Sequence, residues 1–331
     1  MHRLKKLKNV ARQNPLKLGL IGLCIVVLAV VQIWKNTAPV GASGWNGKAV
    51  AAIKQHDPED FTFAVFGDNK NGYAVFDALM NDIKTKGAAS FAVVVGDMVP
   101  DGDRRNFRGF ISDVEDDLGI PLVTVIGNHD LYNDSDENYR EIFGAPNYHF
   151  AIGRSEFIVV NAPTQSGFGL QDRQWLETVL KNTQTADNRF VFMHVPPFDP
   201  RGPRFHKCLD NGAGLVDLFR RYHVTHLFAG HIHGYFSGVW KDVPYTITGG
   251  GGGELQSVAD RKHFFHHYLV VEVDHGKTKI NVMPVGVTAP TRAIEYMEGK
   301  LPTWGVLILG MIVFLILLLK FEPFRKPAHQ V

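Results

Sequence analysis

An α/β domain flanked by one membrane-spanning segment at each end is the architecture this sequence predicts. Three observations lead there. Short apolar, β-rich runs alternate with stretches of helical periodicity through the middle of the chain. Two long uncharged runs lie near the ends, with basic residues outside them. Residues of metal-ligating type follow one apolar run after another.

The first uncharged run, 18–34, reads LGLIGLCIVVLAVVQIW and follows a segment, 1–17, with six bases and no acid. About 17–20 apolar residues in a helix cross a hydrocarbon core of about 30 Å. The second run, 301–319, ends in WGVLILGMIVFLILLL, with Pro302 in its first turn, and precedes a basic tail, 320–331. Pro is tolerated there because first-turn N–H groups have no helical partner. Bases on the outer side of both runs place both termini in the cytoplasm and export the domain between them. A cleaved signal peptide with a small-residue site at Val40-Gly41-Ala42 is the other reading of the first run. Segments 35–60, with a short helix as an open reading, and 288–300 are then linkers around a domain at 61–287.

Within that domain, the runs at 61–66, 91–95, 122–126, 157–160, 190–193 and 226–229 have the composition of strands buried on both faces. Stretches 73–86, 103–118, 171–181 and 213–222 between them read as helices. In the first of these, Val75, Phe76, Leu79, Met80 and Ile83 make one apolar face. This alternation argues for an α/β fold. From Tyr235 onward the pattern is all strand, with a glycine run at 249–253. Cys24 and Cys208 offer no intrachain disulfide. Setting aside the nine bases and one acid of the two tails leaves 26 bases against 32 acids in the middle, so no nucleic-acid partner is expected.

The chemistry sits at the carboxyl ends of the runs, where open α/β sheets bind ligands. They end in Gly67-Asp68-Asn69-Lys70, Gly96-Asp97, Gly127-Asn128-His129-Asp130, His194-Val-Pro-Pro197 and Gly230-His231-Ile232-His233. Carboxylate oxygen and neutral imidazole are ligands for Mn, Fe or Zn. Taken singly, a Gly-Asp is a turn and a lone His is a core residue. Five in order, each at a strand end, point to a metal centre with enough ligands for two ions. Two such ions clamp a phosphoryl group and lower the pKa of a bridging water toward 7.

The order GD, GD, GNHD, H, GHIH, over about residues 61–285, resembles the calcineurin-like metallophosphoesterase superfamily. The resemblance implies a four-layer αββα sandwich of two mixed sheets and two divalent or trivalent metal ions. It assigns one ion to Asp97, Asn128, His194 and His231, and the other to Asp68, Asp97 and His233, with Asp97 bridging. It makes His129 a general acid or phosphate donor and lets Asn128 hold both a metal and a phosphate oxygen.

The sequence departs from that pattern in its first element. Family members usually read D-x-H there; this chain has Asp68-Asn69-Lys70, and a protonated Lys has no lone pair to offer. The tyrosine that purple acid phosphatases use instead falls at Pro100. A weak first site follows, with Lys70 expected to face it as a phosphate-holding cation rather than as a solvated loop lysine. Pro100 and Asp101 also stand where the protein Ser/Thr phosphatase branch has an Asp and an Arg, which disfavours that branch. Arg201 and Arg204, in a Pro-rich loop with His206 and Lys207, are candidate anion grips. His263, His266 and His267 read as supporting residues rather than a second metal tract.

The expected function is hydrolysis of a phosphate mono- or diester outside the cytoplasm, by attack of a metal-bound hydroxide. Two membrane spans suggest a lipid- or envelope-linked phosphate; a soluble nucleotide or phosphomonoester suits the residues equally. The alternative is a metal-binding, non-catalytic scaffold that lost activity with the first-element His. A transporter is disfavoured because the apolar runs carry no charged residue.

Overall fold

The computed structural model of the protein describes residues 43–55, 58–87, 89–166, 168–202, 204–257 and 260–286, together with Gly22 and Val26. Apart from those two residues, both apolar runs, 18–34 and 301–319, lie outside the described residues, as do their basic flanks and segment 288–300. Among the described residues no helix is long and apolar enough to cross a membrane.

The described elements run α1 (Trp45–Lys54), β1 (Phe61–Phe66), α2 (Tyr73–Lys86), β2 (Phe91–Val94), α3 (Arg104–Asp117) and β3 (Leu122–Thr124). A single 3₁₀ turn, Asn128–Asp130, leads to α4 (Glu137–Phe143), β4 (Tyr148–Ile152), β5 (Ser155–Val159), α5 (Leu170–Asn182) and β6 (Asn188–Met193). Then come α6 (Gly212–Arg221), β7 (His226–Ala229), β8 (Tyr235–Trp240), β9 (Val243–Thr248), β10 (His267–Asp274) and β11 (Lys277–Pro284).

Two mixed sheets form. One has the order β11-β10-β1-β2-β3, the other β4-β5-β6-β7-β9-β8. In the first, parallel β1, β2 and β3 are flanked on one edge by antiparallel β10 and β11; in the second, parallel β5, β6, β7 and β9 are flanked by antiparallel β4 and β8. The side-chain alternation of β1 shows how the layers stack. Ala64 and Phe66 join the cluster containing Phe76, Leu79 and Met80 of α2 and Phe107, Phe110 and Val114 of α3. Phe63 and Val65 point the other way, into a cluster shared with Phe157, Phe190, Phe192 and Phe228 of the second sheet. On that sheet's far face, Val191 and Leu227 pack on Leu176 and Leu180 of α5 and Leu215 and Phe219 of α6. Helices, sheet, sheet and helices therefore make four layers, as the resemblance implies. The sheet-to-sheet layer is built of rings: Phe63 meets Phe157 edge-on at 5.1 Å, and Phe192 stacks on Phe228 at 5.2 Å. Burying each such ring stabilises the fold by about 1.5–3 kcal/mol.

Helix boundaries follow local chemistry. α2 spans the expected 73–86 and stops at Gly87, whose φ of 58° lets its N–H reach the Ile83 carbonyl. α3 starts where the Asp103 carboxylate accepts from the Asn106 N–H at 2.7 Å. Within 35–60, read as a linker with a short helix left open, Trp45–Lys54 is a helix docked on β3. Trp45 Nε1 donates to the Leu122 carbonyl at 2.7 Å, and Asn46 Oδ1 accepts from the Thr124 N–H at 2.9 Å. These bonds span more than seventy residues, so no local pattern announces them. β4 also goes unforeseen: it is a partly exposed edge strand whose exposed and buried positions alternate without a matching polar and apolar pattern in Tyr-His-Phe-Ala-Ile.

Candidate metal centre

Each ligand-type residue follows a strand that ends on the same side of the two sheets' core. β1 delivers Asp68, β2 Asp97, β3 Asn128 and His129, β6 His194, and β7 His231 and His233. The backbone at three of these positions is unusual. Asp68, Asp97 and His231 have φ of 57°, 54° and 68°, in the left-handed region that non-glycine residues avoid. Strain of this kind, about 1–3 kcal/mol per residue, persists where the surroundings enforce it, and it gathers at functional sites.

The glycines before the ligands make room for them. A Cβ on Gly96 would lie 2.5 Å from His194 Nδ1, and one on Gly230 would lie 2.6 Å from Asp68 Oδ2. The glycine run at 249–253 closes over the first element, with the Gly253 N–H donating to the Asp68 carbonyl at 2.6 Å.

Four donor atoms converge. Asn128 Oδ1 is 3.1 Å from His194 Nε2 and 3.1 Å from His231 Nδ1, and Asp97 Oδ1 is 3.3 Å from His194 Nε2. Donors about 2.0–2.2 Å from one shared ion stand roughly 3.0–3.5 Å apart, so this spacing is that of a metal's ligand shell. The ring atoms face it correctly. His194 Nδ1 donates to the Val95 carbonyl at 2.9 Å, which leaves the Nε2 lone pair toward the cluster. Burial lowers the pKa of His194 and pushes those of His231 and His233 down to about 3 and about 4, so the rings are neutral and able to ligate. Asp68, Asp97 and His194 are each nearly or wholly buried, with ligand atoms mutually within 4.8 Å. Burial and the adjacent Asp97 charge push the Asp68 carboxyl well above its usual range, the mark of a pocket that wants a cation. Asp97, Asn128, His194 and His231 fit a metal ion.

The other side is different. His233 Nδ1 donates to the Glu254 carbonyl at 2.6 Å, and its Nε2 stands 3.4 Å from Asp68 Oδ1. Both Asp68 oxygens accept from the His231 N–H, at 3.1 and 3.0 Å. Lys70 does face the site: its ammonium is hydrogen-bonded and ion-paired with Asp97 Oδ2. Burial works against the Asp97 charge, but the Lys70 ammonium, which both attracts and hydrogen-bonds it, opposes burial, and that carboxyl lies well below its usual range.

His129 lies beside the cluster. Its backbone N–H donates to Asp97 Oδ1 at 2.9 Å, and its Nδ1 meets the Pro100 carbonyl at 2.9 Å. The backbone of Pro100 thus orients the ring where the protein-phosphatase branch uses an Asp side chain. Arg201 and Arg204 do not join the cluster. Arg201 is bidentate to Asp199 at 2.8 and 2.6 Å, bonds Gln256 and lies over the Phe205 ring; Arg204 is exposed. Lys207 of the same loop comes nearer, and feels the charges of Asp68 and Lys70. It lines a cleft of about 720 Å³ with Arg201, Phe205, Phe236 and Phe264. His263 and His267 bond the Tyr235 and Phe265 carbonyls, in keeping with a supporting role.

The residue that sequence reasoning missed is Asp130. Its buried carboxylate accepts from the N–H groups of Asp97, Met98 and Gly127 at 2.9, 2.9 and 2.8 Å, and from Val99 at 3.3 Å. It locks the loops after β2 and β3 together. Its place in GNHD was visible, but its partners thirty residues away were not.

A family model described as "Calcineurin-like phosphoesterase" matches residues 61–235, just over half of the chain. The serine/threonine-protein phosphatase CPPED1 of Rattus norvegicus is 28% identical over 155 residues, 42% of this chain and 50% of its own length. A Rhodopseudomonas palustris protein named "Probable cyclic nucleotide phosphodiesterase" is 28% identical over 180 residues, 49% of this chain and 63% of its own. The chain thus spans about half to two thirds of the length of these curated relatives. Among solved structures, a dimetal phosphatase from Danio rerio aligns with a TM-score of 0.56 at 16% identity, covering 68% of this chain and 96% of that one. The purple acid phosphatase of yellow lupin aligns at 0.55 and 14% identity, over 69% and 52%. These two likenesses concern the fold.

Proposed function

We propose that this chain, which belongs to the calcineurin-like phosphoesterase family, hydrolyses phosphate mono- or diesters at a metal centre made by Asp97, Asn128, His194 and His231. The observation that carries the reading is the convergence of four donor atoms at 3.1–3.3 Å. When bound there, a metal ion supplies an acidified water and draws charge from the phosphoryl oxygens. The chain's own groups do the rest. Asn128 turns Oδ1 to the two rings, which leaves its amide N–H groups for a phosphoryl oxygen. Lys70 holds a fixed positive charge beside Asp97, where negative charge gathers during transfer. The Pro100 carbonyl accepts a hydrogen bond from Nδ1 of His129, so it is Nε2–H of the imidazolium that passes a proton to the leaving-group oxygen and leaves the ring neutral. The relatives' names cover a protein phosphatase and a cyclic nucleotide phosphodiesterase, and so support the reaction class more than any one substrate.

The basic flanks of the two apolar runs support a domain held outside the cytoplasm. Tethering of that kind supports a lipid- or envelope-linked phosphate as substrate. A reporter active only outside the cytoplasm, fused after residue 286, is expected to be active; activity only of a cytoplasmic reporter contradicts the topology.

The test of the reaction uses the full chain, stripped of metal and resupplied with Mn(II) or Zn(II). It is expected to release p-nitrophenolate from p-nitrophenyl phosphate or its bis-ester. Asp97→Ala is expected to lower the rate by about 10³-fold, as loss of a charge-stabilising group does. An unchanged rate in that variant contradicts the proposal.

A further inference from the structure

We infer that the Lys70 ammonium takes the place of the first metal ion, so that the centre binds one metal and carries its second positive charge on the chain. This deepens the phosphoesterase reading and rests on it for its setting.

The Asp97 carboxylate divides its two oxygens between the two sides. Oδ1 accepts from the His129 N–H and faces His194, on the side where four donors converge. Oδ2 is taken by the Lys70 ammonium. That contact is built in rather than incidental. The Lys70 side chain is 10% exposed, that of Asp97 is 1% exposed, and the Lys70 backbone N–H donates to the Asp97 carbonyl at 3.1 Å. The loop is therefore pinned to the residue its side chain neutralises.

Of the ligands the resemblance gives the first ion, Asp68 and His233 remain, with facing atoms 3.4 Å apart. Asn69 is anchored by Nδ2 on the Met98 carbonyl at 3.0 Å; its Oδ1 is buried without a hydrogen-bond partner, and no hydrogen bond or ion pair joins it to Asp68, Asp97 or His233. An ammonium has three donors and no lone pair, so Lys70 cannot complete a ligand set. It does what a cation does for two crowded carboxylates.

The test counts metal rather than turnover. The metal-free full chain is dialysed against Mn(II), and bound metal is measured by mass spectrometry alongside the Mn(II) resonance spectrum. One ion per chain, with the spectrum of an isolated Mn(II), is expected. Lys70→His restores a ligand and removes the charge; it is expected to bind a second ion and give an exchange-coupled spectrum. Lys70→Met, which removes charge without adding a ligand, is expected to admit a second ion only weakly. Circular dichroism matched to the unaltered chain qualifies each variant. Two ions of comparable affinity in the unaltered chain overturn the inference, as does a single ion in a folded Lys70→His. Two ions together with turnover overturn this inference and leave the phosphoesterase reading standing. One ion without turnover on any ester does the reverse.

Discussion

The two sheets contribute opposite chemistry to one site. The sheet of β1, β2 and β3 supplies the charged and amide groups: Asp68, Lys70, Asp97 and Asn128, with Asp130 beneath them. The sheet of β6 and β7 supplies rings kept neutral by burial: His194, His231 and His233. Neither half makes a metal centre alone. The donor shell exists because a layer of phenylalanines holds the two sets of strand ends face to face. Packing and chemistry are therefore one problem here. The family pattern is intact on the histidine side and altered on the acidic side, at Lys70.

The sharpest way to separate positioning from chemistry is His129. Its Nε2 is available for proton transfer, so His129→Ala is expected to lower kcat by about 10²–10⁴-fold on an alkyl phosphoester. The loss should be much smaller on p-nitrophenyl esters, whose leaving group needs no proton. Equal losses on both would assign the ring a structural role.

The interface is broken by Phe63→Ala. Phe63 touches Phe157, Phe190 and Phe228 across the sheets, and the truncation is expected to cost about 3–5 kcal/mol in chemical denaturation. Metal affinity should fall with it. Stability lost with affinity unchanged would show that the two halves are set independently.

Comparing two histidines tests the difference between the two sides directly. His231 Nδ1 belongs to the four-donor cluster, whereas His233 Nε2 faces Asp68 alone. His231→Ala is expected to weaken Mn(II) binding by about 100-fold or more, the upper range for disturbing a metal's supporting shell. His233→Ala should change it by less than about tenfold. Calorimetric titration reads both, and a reversed order would move the ion to the Asp68 side.

The smallest effect is on pH dependence. Burial pushes His226 down to about 3 and His267 to about 4, from an ordinary value near 6.5. The unfolded chain then binds protons that the folded chain refuses. Stability from these rings is present above about pH 6.5 and falls below it until the folded values are reached. The loss should approach about 2 kcal/mol per ring at pH 5. His226→Gln is expected to flatten the melting-temperature profile between pH 7 and 5; an unchanged slope contradicts it.

How far the sequence could be read depended on the range of the interaction. Asp68, Asp97, Asn128, His194 and His231 were legible because each follows a short apolar run, and a strand's end is a local feature. The bounds of α2 were legible from its apolar face and Gly87. Lys70 was recognisable as a departure, yet its bond to Asp97 Oδ2 depends on how two loops fold back. Asp130 and Asn46 were opaque for the same reason. Each side chain satisfies backbone groups brought close only by the finished fold. Arg201 was legible as part of a basic loop, but its pairing with Asp199, two residues earlier, was not.

Anomalous diffraction from crystals grown with Mn(II) tests most directly where the chemistry resides. The expected result is a peak within ligand distance of Asn128 Oδ1, His194 Nε2, His231 Nδ1 and Asp97 Oδ1. The exposed group Asp60, Asp274 and His275 provides an internal contrast. A peak there, with none between Asn128 and His231, would contradict a metal centre at the junction of the two sheets.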